Sequence, residues 1–179
     1  MYKVVKRILD IILSLVFIIL LSPIFLIISI ILLVTLKREI IFKQKREGKN
    51  KETFIMYKFR TMINNNLLSD KDRITKVGRI LRNTSLDELP QLFNILKGDM
   101  SIIGPRPFIV GEILPDDFID NVRYTVRPGM TGYAQIHGKR KVSHKKKLQY
   151  DVWYAKNLSF KLDVKILVLT IFNMFQSGN

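Results

Sequence analysis

The chain has 179 residues, 47% of them hydrophobic, and carries 30 Lys and Arg against 15 Asp and Glu, a net charge of +15. That length suits one domain with a single appended element, and the positive excess points to a polyanion or an anionic membrane surface as partner. The lack of cysteine excludes disulfide frameworks and thiolate metal sites, and two isolated histidines, His137 and His144, do not make a zinc centre.

The first element is apolar. From Ile11 to Leu36 there are 26 residues without a charge. This run is longer than the ~7–15 residues of a signal-peptide core, and no small-x-small site follows it, so it is expected to be retained. As a helix it reaches about 39 Å, against a hydrocarbon core of about 30 Å. A tilted transmembrane helix is one reading. Two features suit a helix that dips in and returns. Lys3, Lys6 and Arg7 precede the block and Lys37, Arg38, Lys43, Lys45 and Arg46 follow it, so both ends fit the cytoplasmic side. Ser22-Pro23 falls near the middle, where proline kinks a helix and the serine hydroxyl can take up a freed carbonyl. The residues alone leave both topologies open.

Residues 40–47 and 53–61 are rich in β-branched and aromatic side chains around a turn at 46–50, which predicts a short β-hairpin. A loop through Asn64-Asn65-Asn66 precedes a helix expected over 71–83, with Ile74, Val77, Ile80 and Leu81 on one face. The next helix is expected to begin between Ser85 and Asp87 and to stop before Gly98, with Leu86, Leu89, Leu92, Phe93 and Leu96 as its stripe. A loop runs through Gly104-Pro105-Arg106-Pro107. Residues 108–124 read as a weak helix broken at Pro115, Arg127-Pro128-Gly129 as a turn, and 131–136 as a strand. Helices are expected over 143–157 and 160–176, the last apolar around much of its circumference and suited to a membrane interface. The pattern is one α/β unit on a membrane helix.

The chemistry concentrates around Ser85-Leu86-Asp87-Glu88-Leu89-Pro90. Two adjacent carboxylates at a helix N-terminus have a structural reading: Ser85 and Glu88 have capping-box spacing, and Asp87 can itself be the cap, which would tolerate Pro90 in the first turn. The cations add to this. Arg106 stands between two prolines that restrict the backbone, presenting a preset fork to phosphate oxygens. Arg82, Lys58 and Arg127 are further candidates. Singly each arginine reads as a surface ion pair. Together, carboxylates and cations are what phosphoryl transfer needs: a nucleophile, a Mg²⁺ ligand and charge to offset phosphates.

These motifs resemble those of the bacterial sugar transferases, the monotopic phosphoglycosyl transferases, in their minimal form. The resemblance runs through Lys6-Arg7-Ile8-Leu9-Asp10, Ser22-Pro23, Tyr57-Lys58-Phe59-Arg60-Thr61-Met62, Ser85 to Asn94, Leu96 to Ser101, Gly104 to Pro107 and Val126 to Gly132. It implies a mostly helical α/β fold. Residues 1–38 would form a re-entrant membrane helix broken at Ser22-Pro23, and residues 39–179 a catalytic domain on the cytoplasmic face of the bacterial inner membrane. It further implies transfer of a sugar phosphate from a UDP-sugar to polyprenyl phosphate. Asp87 would be the nucleophile, Glu88 the Mg²⁺ ligand, and Lys58, Arg82 and Arg106 phosphate ligands, with Arg127 and Asp163 as further site residues. Membrane phospholipids are implied partners, and a homodimer is compatible with the pattern.

One departure stands out. The family's Asn-Gly-Arg is replaced by His137-Gly138-Lys139-Arg140, which leaves open whether Lys139 or Arg140 meets the donor. The basic run from Lys139 to Lys147 fits anionic lipid, at roughly 1 kcal/mol per Lys or Arg near such a surface. Two rival readings, a tethered nucleic-acid binder and a non-catalytic scaffold, give Asp87 and Glu88 no role, and no nucleic-acid partner is expected.

Overall fold

A computed structural model describes residues 2–37, 39–65, 67, 69–111, 121–137 and 142–176. The apolar block forms two helices, α1 (Tyr2–Leu20) and α2 (Ser22–Leu36), bent by 61° at Leu21. Neither alone is long and apolar enough to cross a membrane; the bent pair together is. The cause of the bend is local. Pro23 has no N–H for the carbonyl four residues back, that of Ile19, and the Ser22 hydroxyl donates to that oxygen instead at 2.8 Å. The expected role of Ser22 and Pro23 is therefore seen in the bonding.

The charges before the block do more than flank it. Arg7 donates to Ile95 O at 2.6 Å and Leu96 O at 2.9 Å, at the C-terminal end of α5 (Gln91–Lys97), where carbonyls without helical partners favour a cation. Buried Asp10 accepts from Ser101 Oγ and Ile102 N, both at 3.0 Å. These bonds fasten α1 to the body of the protein. On α2, Ile28 and Leu32 pack against Phe59, Leu81 and Leu89, while Leu26, Leu33 and Val34 stay on the outside.

The hairpin forms as expected. β1 (Ile41–Glu47) pairs antiparallel with β2 (Thr53–Phe59), from Ile41 opposite Phe59 to Glu47 opposite Thr53, around a short 3₁₀ turn at Lys49–Lys51. The helix expected over 71–83 is two pieces, α3 (Asp70–Arg73) and α4 (Lys76–Asn83). Between them Ile74 bridges to Met62 in an extended backbone, and the Thr75 side chain caps α4 by accepting from Gly78 N at 2.8 Å. The two caps, Ser69 and Thr75, outweigh the continuous apolar spacing.

Two further expectations are corrected. The helix expected from Ser85–Asp87 onward begins only at Gln91; Leu86–Glu88 form a 3₁₀ turn, and Ser85 makes no side-chain cap bond. Ser85 sits at φ +58°, a left-handed conformation that breaks the capping geometry. The helix does end at Gly98, as expected, with φ +100°. The strand expected over 131–136 is β4 (Gly129–Thr131), pairing in parallel with β3 (Ser101–Ile103), and residues Tyr133–His137 turn helical as α6. Gly132 makes that switch: its carbonyl accepts from Gln135 N and Ile136 N. The two short strands touch through glycines, since a Cβ on Gly129 would lie 2.0 Å from Gly104 N.

Helices α7 (His144–Lys156), capped by Ser143, and α8 (Phe160–Gln176) match their expected ranges. Ile103, Val126, Ile136, Tyr154 and Ile166 form the core beneath them. On α8, Phe160, Val164, Val168, Ile171 and Phe172 are exposed, an apolar face left outside the core. The break expected at Pro115 and the Lys139–Arg140 pair lie outside the described residues, and Asn121–Thr125 form a 3₁₀ turn.

Candidate active site

The site is assembled where β2, α4 and the 85–90 segment converge. Strand alternation places Lys58 on the face opposite the buried Phe59. There its ammonium pairs with Glu88 Oε1. Helix α4 comes unusually close to the end of β2: a Cβ on Gly78 would fall 2.1 Å from Thr61 O. That approach lets Arg82 Nε donate to Thr61 Oγ1 at 2.8 Å, which orients the guanidinium beside the carboxylates. Asn94, fully buried, ties α5 to the hairpin: it accepts from Tyr57 N at 3.0 Å and donates to Ile55 O at 2.6 Å.

Asp87 lies half-buried on the 3₁₀ turn. Burial pushes its carboxyl above the ordinary aspartate range, Glu88 adds to the rise, and Lys58 and Arg82 pull against it. Desolvation outweighs the two cations, so the charged form is disfavoured here relative to a free aspartate.

Two cavities lie on either side of the Lys58–Glu88 ion pair. A polar one of about 630 Å³ is lined by Lys58, Arg60, Arg73, Arg82, Asp87 and Glu88. A second, of about 640 Å³, is lined by apolar side chains from the helix bend (Phe17, Leu21), α5 (Leu92) and α8 (Leu167, Ile171), with Arg106 at its polar margin. Arg46, Lys58, Ser85 and Glu88 line both. They form a shared wall.

The structure thus gathers five of the residues singled out in the sequence: Lys58, Arg82, Asp87 and Glu88 around the polar cavity, and Arg106 with Lys58 and Glu88 around the apolar one. Two others stand elsewhere. Arg127 Nε donates to Gly98 O at 2.7 Å, joining Arg7 at the end of α5. Asp163 is buried and accepts from Tyr2 (2.5 Å), Lys6 (2.7 Å) and Tyr154 (2.7 Å), anchoring the start of α1 to α8. Neither lines the two cavities.

Glu88, the expected metal ligand, could offer a magnesium ion one carboxylate, with one of its oxygens already paired with Lys58. Mg²⁺ takes one or two carboxylates and completes its shell with water and substrate phosphates. Among the described residues no group of three or more Asp, Glu, His or Cys side chains could cage a metal, so an ion here would be shared with its substrate.

Sequence reasoning passed over Arg46, Thr61 and Asn94 as site-building residues. In the sequence Arg46 reads as a charge flanking the apolar block and as the first residue of the turn at 46–50, whereas it lies within β1, opposite Phe54. Nothing in the sequence shows that Asn94 is buried.

Residues 1–177 match the bacterial sugar transferase family. Among the relatives, an uncharacterized sugar transferase, EpsL, of Bacillus subtilis (strain 168) is 48% identical over 137 residues, covering 74% of this chain and 68% of the relative. The UDP-glucose:undecaprenyl-phosphate glucose-1-phosphate transferase of Klebsiella pneumoniae is 41% identical over 96% of this chain, which spans only 40% of that protein. The exopolysaccharide production protein PSS of Rhizobium leguminosarum bv. phaseoli is 34% identical over 98% of this chain and 97% of its own length. By the extent of the family match and these identities, the chain belongs to the bacterial sugar transferases.

Proposed function

We propose that this protein moves a sugar 1-phosphate from a UDP-sugar to a polyprenyl phosphate. The observation that carries the reading is the adjacent carboxylate pair, with Asp87 on a cation-lined cavity and Glu88 on the wall that this cavity shares with an apolar one. A nucleotide sugar is a soluble polyanion and suits the first. A lipid phosphate has an anionic head and an isoprenyl tail, and suits the second, whose polar margin carries Arg106, Arg46 and Lys58.

In the reaction, an Asp87 oxygen attacks the β-phosphorus of the donor. The bond to the bridging oxygen breaks, UMP leaves with that oxygen, and the phosphosugar is held as an acyl phosphate. An oxygen of the lipid phosphate then attacks the same phosphorus and the bond to Asp87 breaks, regenerating the carboxylate. The covalent stage lets two dissimilar substrates use one nucleophile in turn. Lys58, Arg82 and Arg106 offset phosphate charge. Glu88 would hold Mg²⁺, which would supply further positive charge against the phosphates. The relatives' names cite different sugars, glucose in one and galactose or N-acetylgalactosamine in others, so family membership does not fix the donor sugar.

The same proposal places the bent pair α1–α2 as a re-entrant element, with both ends and the site on the cytoplasmic face of the inner membrane. The outward apolar side chains of α1, α2 and α8 support this, because lipid can cover them. A panel of UDP-sugars tests the function: release of UMP with polyprenyl phosphate and Mg²⁺ present, from at least one donor, is expected. Failure of every donor to release UMP contradicts it.

A further inference from the structure

We infer that Arg123 and Arg46 are positioning residues that hold the backbone of Arg106 so that its side chain meets the phosphate. The inference rests on the assignment of Arg106 to phosphate binding.

The Gly104-Pro105-Arg106-Pro107 loop has few bonds of its own to make, because two of its residues lack an N–H. Its carbonyls are instead held from outside, one after another. Pro105 O accepts from Gly129 N at 2.9 Å. Arg106 O accepts from Arg123 Nη2 at 2.8 Å, and Pro107 O from Arg46 Nη1 at 3.0 Å. Phe108 O accepts from Glu47 N at 2.9 Å. Two guanidinium groups therefore fix the consecutive carbonyls of Arg106 and Pro107, and so the direction in which the Arg106 side chain leaves the loop. The prolines restrict φ at positions 105 and 107; Arg123 fixes the 106–107 peptide plane, and Arg46 the 107–108 plane that follows it.

Arg123 is held in place for this contact from several sides. It is 5% exposed and lines neither cavity of the site. Its guanidinium carbon lies 3.6 Å from the centre of the Phe108 ring, and it pairs with Asp151 of α7 at 3.0 Å. Asp151 is equally buried; burial pushes its carboxyl up, and Arg123 opposes the rise. Stacked on Phe108, Arg123 uses one nitrogen, Nη2, to donate both to Asp151 Oδ2 at 3.0 Å and to Arg106 O at 2.8 Å, so the ion pair and the loop contact hold each other in place. Arg46 reaches the loop from β1, with Nη2 donating to Gln44 at 2.6 Å.

A buried ion pair can also serve stability alone, and Arg46 lines both cavities and could touch substrate itself. A double-mutant cycle on kcat/KM for UMP release separates these roles. Arg46→Lys and Arg123→Lys keep the charge and lose the fork. With Arg106 present, each is expected to lower kcat/KM about 10-fold; combined with Arg106→Ala, each is expected to cause less than a further 2-fold loss. Thermal midpoints should shift equally in both backgrounds. Equal fold-losses in both backgrounds would overturn the positioning role. If Arg106→Ala alone keeps full kcat/KM, the phosphate role of Arg106 fails first and the inference with it. Should Arg123→Lys not fold, the Arg46→Lys arm decides by itself.

Discussion

Lys58 and Glu88 form the ion pair that stands in the wall between the two cavities. The pair is partly open, with side chains 18% and 29% exposed, so its contribution to stability is small, of the order of 0–1 kcal/mol. Its weight falls on chemistry. Lys58→Ala is expected to lower kcat by roughly 10²–10³-fold with little change in thermal midpoint. A variant that loses stability but keeps kcat would assign the pair to folding instead.

Asp87 titrates above the ordinary aspartate range because burial outweighs Lys58 and Arg82. The attacking form is the anion, so kcat/KM should fall as pH drops through this raised value, giving an acidic limb above about 4. The sign for stability is opposite. Between the ordinary and the raised value the folded state binds more protons than the unfolded state, so stability decreases as pH rises through that window. Asp87→Asn removes the buried charge. It is expected to abolish UMP release, by on the order of 10³-fold or more, while leaving the thermal midpoint at pH 7 unchanged or raised. A pH profile for kcat/KM that is flat down to about 4 would contradict the environment described for this carboxyl.

Ser85 adopts φ +58° immediately before the carboxylates, a conformation that costs a non-glycine residue about 1 kcal/mol or more. Ser85→Gly should therefore raise stability by up to about 1 kcal/mol, and Ser85→Val should lower it by about 1–2 kcal/mol. Denaturant midpoints of the two variants check the order. If Gly and Val prove equal, the left-handed backbone at this position is not what the sequence folds to.

The bend at Leu21 depends on Pro23 and on the Ser22 hydroxyl that bonds Ile19 O. Single cysteines at Lys3 and Lys37 are expected to react with an impermeant reagent only from the cytoplasmic side. With Pro23→Leu and Ser22→Ala together, the helix can straighten, and the two positions should then label from opposite sides. Opposite labelling in the unaltered protein would establish a spanning helix.

Much of this fold is legible in the residues. The hairpin over β1 and β2, helices α7 and α8, the stop at Gly98 and the break at Ser22-Pro23 all follow from alternation, periodicity, a glycine and a proline, because these signals act within a few residues. Two departures have other causes. Ser85 has the spacing of a cap, and its left-handed backbone cancels that cap. Residues 131–136 look like a strand, and Gly132 packs against Gly104 and turns them helical. The second is decided by a contact distant in sequence. The candidate site divides the same way. Asp87, Glu88, Lys58, Arg82 and Arg106 are visible as residue types in linked motifs and do come together. Arg127 and Asp163 look equivalent on paper, yet one holds the end of α5 and the other the start of α1. Arg46 and Arg123 act through backbone carbonyls, which no motif records.

The most direct measurement is to quench the enzyme after mixing with a donor labelled in its sugar phosphate, in the absence of lipid acceptor, and to map the label by mass spectrometry. A phosphosugar adduct on the peptide containing Asp87, released on adding polyprenyl phosphate, is the expected result. UMP formation with acceptor present, but never an adduct on that side chain without it, would mean direct transfer between the two substrates and would contradict the covalent role of Asp87.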